Sequence, residues 1–371
     1  MASEIVTPAE FRARARDFID ASVADGTACP AFGAIMPPKL FEHARAWQRR
    51  CYDAGFAGID WPAEFGGRGL SAAHAAAWTE ECARAGVAAY MNFQGIVLAC
   101  GAIRRFGTPE QQARYLDATL RADIVWCQLF SEPGAGSDLA SLSTRAEPDG
   151  DGWRVTGQKV WSSTAQLAHH AILLARTDPD DRGHRGISFF LFDMASPGVE
   201  VRPIVQMTGD SEFCEVFLDS APVPADGLLG ELHSGWGVTM SVLANERAAV
   251  GATGIALERR LAELPPDAIG IRAAGGAVAQ LLARSNGAAT LGPLTKLALT
   301  ELDSRIVAAR LDALGASGMI DGEATEPFLY APGMKLGGGT SEIQRNLIGE
   351  RLLGLPREPR PPADDRRSRQ A

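Results

Sequence analysis

Three short segments carry residue types suited to holding a planar or anionic ligand. Ser131-Glu132-Pro133-Gly134-Ala135-Gly136-Ser137-Asp138 follows an apolar run, and its glycines would let backbone N–H groups and small hydroxyls come close to such a ligand. An ordinary turn has the same composition, and the spacing is neither that of a dinucleotide-binding loop nor that of a P-loop. Trp161-Ser162-Ser163 places an indole beside two hydroxyls, which could cover one face of an aromatic cofactor and hydrogen-bond to its edge. A tryptophan packed half-buried under a sheet is the plainer alternative. Gly337-Gly338-Gly339-Thr340-Ser341-Glu342-Ile343-Gln344-Arg345 puts three glycines before a helix start, with Thr340 or Ser341 as N-cap and a helix end able to attract a phosphate or a carbonyl oxygen. Metal chemistry is not indicated. His169 and His170 are adjacent, the other four histidines stand alone, and the six cysteines include no CxxC pair, so buried free thiols are expected.

The elements around these segments fall into three blocks. Up to about residue 122 the pattern is helical. Thr7-Pro8-Ala9-Glu10 is a capping box opening a helix through Phe18, and Leu40, Ala44, Trp47 and Cys51 recur at helical spacing. An alanine-rich run from Ser71 to Arg84 stops at Gly86, and Thr108-Pro109-Glu110-Gln111 repeats the cap. From Ile124 to about Leu229 the pattern is β: Ile124–Phe130, a hairpin of Trp153–Thr156 and Lys159–Trp161 about Gly157-Gln158, then His170–Thr177, Gly186–Phe192, Val199–Val205 and Phe213–Leu218. Strands without intervening helices predict an antiparallel barrel or sandwich. Helical periodicity returns from Gly235, over Val238–Leu261, Ala268–Ala283, Leu294–Leu314 and Thr340–Leu353. The expected fold is α+β, with domains at 1–123 (helical), 124–229 (β) and 230–358 (helical), and a disordered tail over 359–371.

Composition narrows the function. The chain has 371 residues, 46% hydrophobic and 22% charged, an ordinary globular balance with room for a large core. Its net charge of −9 argues against nucleic acid as a main partner. The first residues lack the apolar stretch of a signal peptide, and no run approaches the roughly 18 apolar residues of a membrane span. A cytoplasmic location without membrane attachment is expected.

Taken together and in this order, the three segments resemble the acyl-CoA dehydrogenase family. The resemblance extends to Trp61-Pro62-Ala63-Glu64-Phe65-Gly66-Gly67-Arg68-Gly69, to Gln128 through Asp138, to Gly157 through Ser163, and to Gly349-Glu350-Arg351-Leu352-Leu353-Gly354, and so covers nearly the whole chain to about Pro359. It implies an N-terminal helical domain, a middle antiparallel β-barrel domain and a C-terminal helical bundle. FAD would lie between the β domain and the C-terminal helices of a homo- or hetero-tetramer. It also implies an acyl-CoA substrate and an electron-transfer flavoprotein or similar acceptor. By the same resemblance Leu129, Ser131, Gly136, Ser137, Trp161, Ser163, Thr340 and Glu342 are cofactor-binding positions, and Ser137, Arg247 and Gly339 face the substrate.

The family's reaction removes a proton α to a thioester, which requires a carboxylate in a dry cleft. In many members that glutamate stands just before the Gly-Thr of the last loop; here the position is Gly338. A second branch carries it on the first long helix of the C-terminal domain, directly before an arginine, and the corresponding stretch is Ala244-Asn245-Glu246-Arg247. Glu246 is therefore the expected base. Two segments that grip the FAD diphosphate in relatives are missing, with Gly270-Ile271-Arg272-Ala273-Ala274-Gly275-Gly276 and Leu314-Gly315-Ala316-Ser317-Gly318 in their regions. These losses, with Trp126–Phe130 and Met207-Thr208-Gly209-Asp210, resemble a bacterial subgroup whose paired, unlike subunits act on steroid or other bulky CoA thioesters. The leading expectation is an active FAD-dependent dehydrogenase. The alternatives are a non-catalytic partner subunit with an incomplete FAD site, and an oxidase or carrier-protein enzyme on the same fold.

Overall fold

The structure, a computed structural model, describes residues 6–357 except 34, 182, 253–254, 286–288, 321 and 323; of residues 247–252, 255–256, 258–259 and 289 it describes the backbone only. The expected tail over 359–371 lies outside the described residues.

The N-terminal helices are α1 (Pro8–Ala24), α2 (Phe41–Asp53), α3 (Ala72–Ala85), α4 (Cys100–Phe106) and α5 (Pro109–Leu120). Both expected capping boxes form. Thr7 and Glu10 exchange hydrogen bonds ahead of α1, as do Thr108 and Gln111 ahead of α5. α3 ends at Gly86, whose φ of +69° is cheap only for glycine. α1 runs a turn and a half beyond Phe18, because Ile19 and Ser22 are still buried. A core of Phe11, Ile19, Trp47, Phe56 and Trp78 joins these helices, with Phe56 stacked on Trp78 at 4.9 Å between ring centroids.

The middle domain holds β1 (Trp126–Leu129), β2 (Arg145–Asp149), β3 (Gly152–Ser163), β4 (His170–Arg176), β5 (Ile187–Asp193), β6 (Val199–Ile204) and β7 (Phe213–Val223). They pair in the order β1-β4-β2-β3-β7-β6, with β5 on the other side of β4. Pairing is antiparallel except at β4, where β1 runs parallel over four residues and β2 over one pair. Along β4 and β5, alternate residues enter two cores. Ile172, Leu174, Phe189 and Leu191 pack with Leu98 and Leu116 of the N-terminal block, while Leu173, Phe190 and Phe192 pack with Val155 and Val216 inside the sheet.

One expectation is corrected here. Gly157-Gln158 is not a hairpin turn: β3 passes straight through it and pairs with β7 on both sides. The hairpin is β2–β3, turning at Gly150-Asp151. Gly157 marks a bulge, and it is glycine because a Cβ there would lie 2.4 Å from Thr144 Oγ1.

The C-terminal helices are α6 (Gly235–Ala252), α7 (Ile255–Ala262), α8 (Ile269–Ser285), α9 (Gly292–Ala313), α10 (Thr325–Leu336) and α11 (Ser341–Leu347), the last continuing as a π turn over Ile348–Leu352. The stretch expected over Val238–Leu261 is thus α6 and α7, whose junction lies outside the described residues. α10 has no counterpart among the expected helices, because Pro332 and Gly333 sit inside it. It forms by packing along α9. Among the described residues, no helix is long and apolar enough to cross a membrane.

An ion pair sealed inside the middle domain fixes the loop after β1. Lys159 is fully buried on β3, and its Nζ donates to Glu132 Oε1 at 2.8 Å and to the Phe130 carbonyl at 3.1 Å. Glu132 also accepts from Ser143 N at 2.6 Å, Ser143 Oγ at 2.7 Å and Thr144 N at 2.9 Å. Burial pushes the Glu132 carboxyl up. The Lys159 ammonium and the hydrogen bonds from Thr144 and Ser143 outweigh it and hold the group down at about 2. A depressed carboxyl contributes stability that is present above its unfolded value of 4.5 and lost as pH falls through its folded value. Acid unfolding should therefore steepen between about pH 4.5 and pH 2, and Glu132→Gln should remove that component. At neutral pH the same variant leaves Lys159 without its counter-charge and should lose about 3–5 kcal/mol, read by urea unfolding followed by circular dichroism.

Candidate active site

One side of the site is built by the middle sheet. The loop after β1 turns back on itself through Glu132 N to Ala135 O (2.9 Å) and Ala135 N to Glu132 O (3.1 Å). Ser131 is tied to β3 by Val160 N donating to its carbonyl at 2.9 Å. Gly136 and Ser137 are exposed at the far end of the loop, and a Cβ on Gly136 would meet nothing within 4 Å. Leu129 is different: its side chain is fully buried in the inner core of the sheet, so whatever it offers a ligand comes from its backbone.

Beside this loop, β3 bulges between Lys159 and Ser162. Trp161 sits in the bulge at φ +59°, a conformation costly for a bulky residue; it is 59% exposed and makes an edge contact with Phe213 at 6.1 Å between ring centroids. The indole is not packed under the sheet. Lys159, held in its ion pair on one side, and Ser162, which pairs with Cys214 on the other, turn it outward. Ser162 Oγ is buried without a hydrogen-bond partner, and Ser163 is 9% exposed at the strand end. The Ser162 hydroxyl faces the inside of the sheet and is closed to any ligand, so the hydroxyl that an aromatic ligand resting on the exposed indole could reach is that of Ser163 at the strand end.

A second group of expected residues lies on the C-terminal helices. Thr340 caps α11, accepting from Ile343 N at 3.3 Å. Gly338 and Gly339 precede it at φ +66° and +98°. A Cβ on Gly339 would lie 2.6 Å from Gln344 Nε2, so a side chain there would displace the amide that holds the loop's carbonyls. A Cβ on Gly338 would lie 3.3 Å from Glu246 Oε1. The Glu246 carboxylate, reaching over from α6, therefore occupies the space that a side chain at position 338 would enter. Glu342 is exposed in the first turn of α11, with Arg345 at 3.5 Å. The side chain of Arg247 lies outside the described residues. The expected residues thus gather into two groups, Leu129–Ser137 with Trp161–Ser163, and Glu246 with Gly338–Thr340.

Glu212 lies beside the first group and near α10. Its carbonyl accepts from Thr164 N at 2.7 Å, and its buried carboxyl, whose Oε2 has no hydrogen-bond partner, is close enough to Tyr330 of α10 for the two groups to influence each other's titration. Burial and Asp210 push that carboxyl up to about 7. Glu132, Lys159, Glu212, Lys296 and Gln344 were not singled out from the sequence. The available signal was weak: charges standing at apolar-period positions, as Lys159 does two residues before Trp161 in a β pattern. Arg272, the nearest local candidate for a diphosphate ligand, is engaged elsewhere. Its guanidinium donates to the carbonyls of Leu261 (2.7 Å), Leu264 and Pro265 (3.1 Å) and thereby closes the turn between α7 and α8.

This architecture and site can be set beside known proteins. Residues 7–123, 127–221 and 255–353 match the N-terminal, middle and C-terminal domain models of acyl-CoA dehydrogenases. The chain is 40% identical over 380 residues to "Acyl-CoA dehydrogenase IpdE1" of Mycobacterium tuberculosis, covering 94% of this chain and 98% of that one. Among solved structures it is similar to the "Tcur3481-Tcur3483 steroid ACAD" (TM-score 0.80, 26% identity, covering 95% of this chain and 98% of that one). It is also similar to the ChsE4-ChsE5 complex from Mycobacterium tuberculosis (TM-score 0.76, 27% identity, covering 96% and 100%). With close similarity along nearly its whole length, on the matching three-block fold, the chain belongs to the acyl-CoA dehydrogenases, flavoprotein oxidoreductases that act on the CH–CH bond of acyl-CoA thioesters.

Proposed function

We propose that this chain carries out α,β-dehydrogenation of an acyl-CoA thioester, with Glu246 as the base. The observation that carries the assignment is the 3.3 Å approach of Glu246 Oε1 to the Cβ position of Gly338: the carboxylate stands where a side chain from the last loop would otherwise stand. The proton α to the thioester carbonyl passes to a Glu246 oxygen. Bound FAD supplies the acceptor for the hydride that leaves the β carbon. In this reading Trp161 would cover the ring, Ser163 would offer its hydroxyl to the ring's edge, and the open Gly136–Ser137 end would admit the near part of the substrate. The relatives named for steroid substrates support a bulky acyl group.

The ring end of the cofactor fits this chain better than the diphosphate end. Arg272 already serves three carbonyls, and a buried diphosphate without matching cations is costly. We infer that a related, unlike chain completes the site, as the two-name titles of the similar complexes suggest for those proteins. A non-catalytic role for this chain within such a complex is the second reading, and the engagement of Arg272 is what favours it.

Glu246→Gln keeps the shape of the side chain but cannot take the proton. It should lower turnover of the flavin-loaded enzyme at least about a hundredfold, with the flavin spectrum unchanged; near wild-type turnover would sink the assignment. Trp161→Ala should weaken FAD retention by about 1–3 kcal/mol, seen as faster flavin loss on dilution or gel filtration. An unchanged flavin content would make Trp161 a surface residue without a cofactor role. The chain purified alone should hold less than one FAD per subunit and gain flavin when mixed with the product of a neighbouring related gene. A homotetramer with full flavin occupancy would overturn the paired assembly.

A further inference from the structure

Lys296 is a second buried lysine, and no step above uses it. It lies in the second turn of α9 and is 1% exposed. Its Nζ donates to the Gly339 carbonyl at 2.8 Å and to the Lys335 carbonyl, at the end of α10, at 3.0 Å. Gln344 Nε2 holds the same rim, donating to the carbonyls of Gly338 (2.9 Å) and Gly339 (3.1 Å). Lys296 and Glu246 therefore meet one two-residue stretch of backbone, the ammonium at the Gly339 carbonyl and the carboxylate beside the Gly338 Cα.

We propose that Lys296 is a positioning residue for Glu246: it fixes the Gly338–Gly339 rim against which the carboxylate rests, and supplies the positive charge that keeps the carboxylate ready to accept a proton. The proposal rests on the reading of Glu246 as base. The charged groups around Lys296 are Glu246 on α6, Glu301 on α9 itself and Glu342 on α11. Lys335 of α10 and Arg345 of α11 also face Glu301, at 3.0 Å and 3.7 Å. Glu301 is shared with two other cations and Glu342 is solvated, and of the three carboxylates Glu246 exerts the strongest pull on the Lys296 ammonium. Burial pushes the Lys296 ammonium down to about 8, with the three carboxylates pulling the other way. The charge is consequently in place at neutral pH and lost above pH 8, so the support given to Glu246 weakens on the alkaline side.

The test is direct titration of the Glu246 carboxylate by infrared spectroscopy on protein labelled with carbon-13 glutamate, its band identified as the one missing in Glu246→Gln. This readout needs neither substrate nor flavin. Lys296→Met removes the charge and the donors; Lys296→Gln removes the charge but keeps a donor for the carbonyl rim. In both, the pH at which Glu246 takes up its proton should rise by about one unit or more. A purely structural role predicts no shift in Lys296→Gln, and that result would overturn the proposal. If neither lysine variant folds, the reciprocal experiment decides. Glu246→Gln should lower the pH at which the Lys296 resonance titrates in carbon-13 lysine spectra, and an unmoved midpoint would overturn the coupling. Failure here leaves the turnover of Glu246→Gln untouched, whereas failure of the base assignment appears as a Glu246→Gln enzyme that still turns over.

Discussion

An ammonium group sealed from water must find its negative and carbonyl partners within a few ångströms, and at Lys159 that demand organises the sheet side of the site. Nζ reaches Glu132 and the Phe130 carbonyl, and Glu132 in turn takes three hydrogen bonds from Ser143 and Thr144. The glycine loop after β1, the connection into β2 and the bulge of β3 are thereby fixed to one another. Breaking one partner of such a pair exposes the other to the full cost of burial, which makes the arrangement rigid even where the pair adds little net stability. Trp161 is held outward by the same restraint, since the bulge that presents it begins at Lys159.

The helix side repeats the logic with different chemistry. Lys296 has two carbonyls for partners at hydrogen-bond distance and a set of carboxylates farther off. A flexible triple-glycine loop becomes a defined rim because Lys296 and Gln344 saturate its carbonyls from inside the protein. At 339 a side chain would displace the Gln344 amide, and both 338 and 339 have positive φ, so the loop's conformation is specified by what surrounds it as much as by its own freedom. Glu212 stands near both elements, its carbonyl accepting from Thr164 N at the end of β3 and its buried carboxyl influenced by Tyr330 of α10.

How much of this was legible in the sequence follows from the range of each signal. The capping boxes at Thr7 and Thr108 and the stop at Gly86 are local and read correctly, and the three-block layout follows from hydrophobic period. Gly157 misled because a glycine pair between two β runs looks like a turn; only the approach of Thr144 from β2's side shows that the glycine serves contact. α10 was hidden by Pro332 and Gly333, whose local preferences are overridden by packing on α9. Glu246 and Gly338 are 92 residues apart in the chain, and their 3.3 Å approach is a fact of the folded structure that no local pattern encodes. Lys159 and Lys296 were passed over because a lysine's burial depends on partners 27 residues away in one case and 43 in the other.

The closeness of Glu246 to the Gly338 backbone also bears on how such a site can change over time. The carboxylate from α6 comes within 3.3 Å of where a Cβ at position 338 would lie, so a side chain from the loop would have to push it aside. On the proposed assignment of Glu246 as base, a lineage moving its proton acceptor between loop and helix would pass through an intermediate with neither carboxylate or with both. The first lacks the acceptor, and the second crowds two like charges into a space built for one. Glycine at 338 is in this sense the counterpart of the glutamate at 246: each residue is tolerable because of the identity of the other, and neither is a free variable for selection to adjust alone.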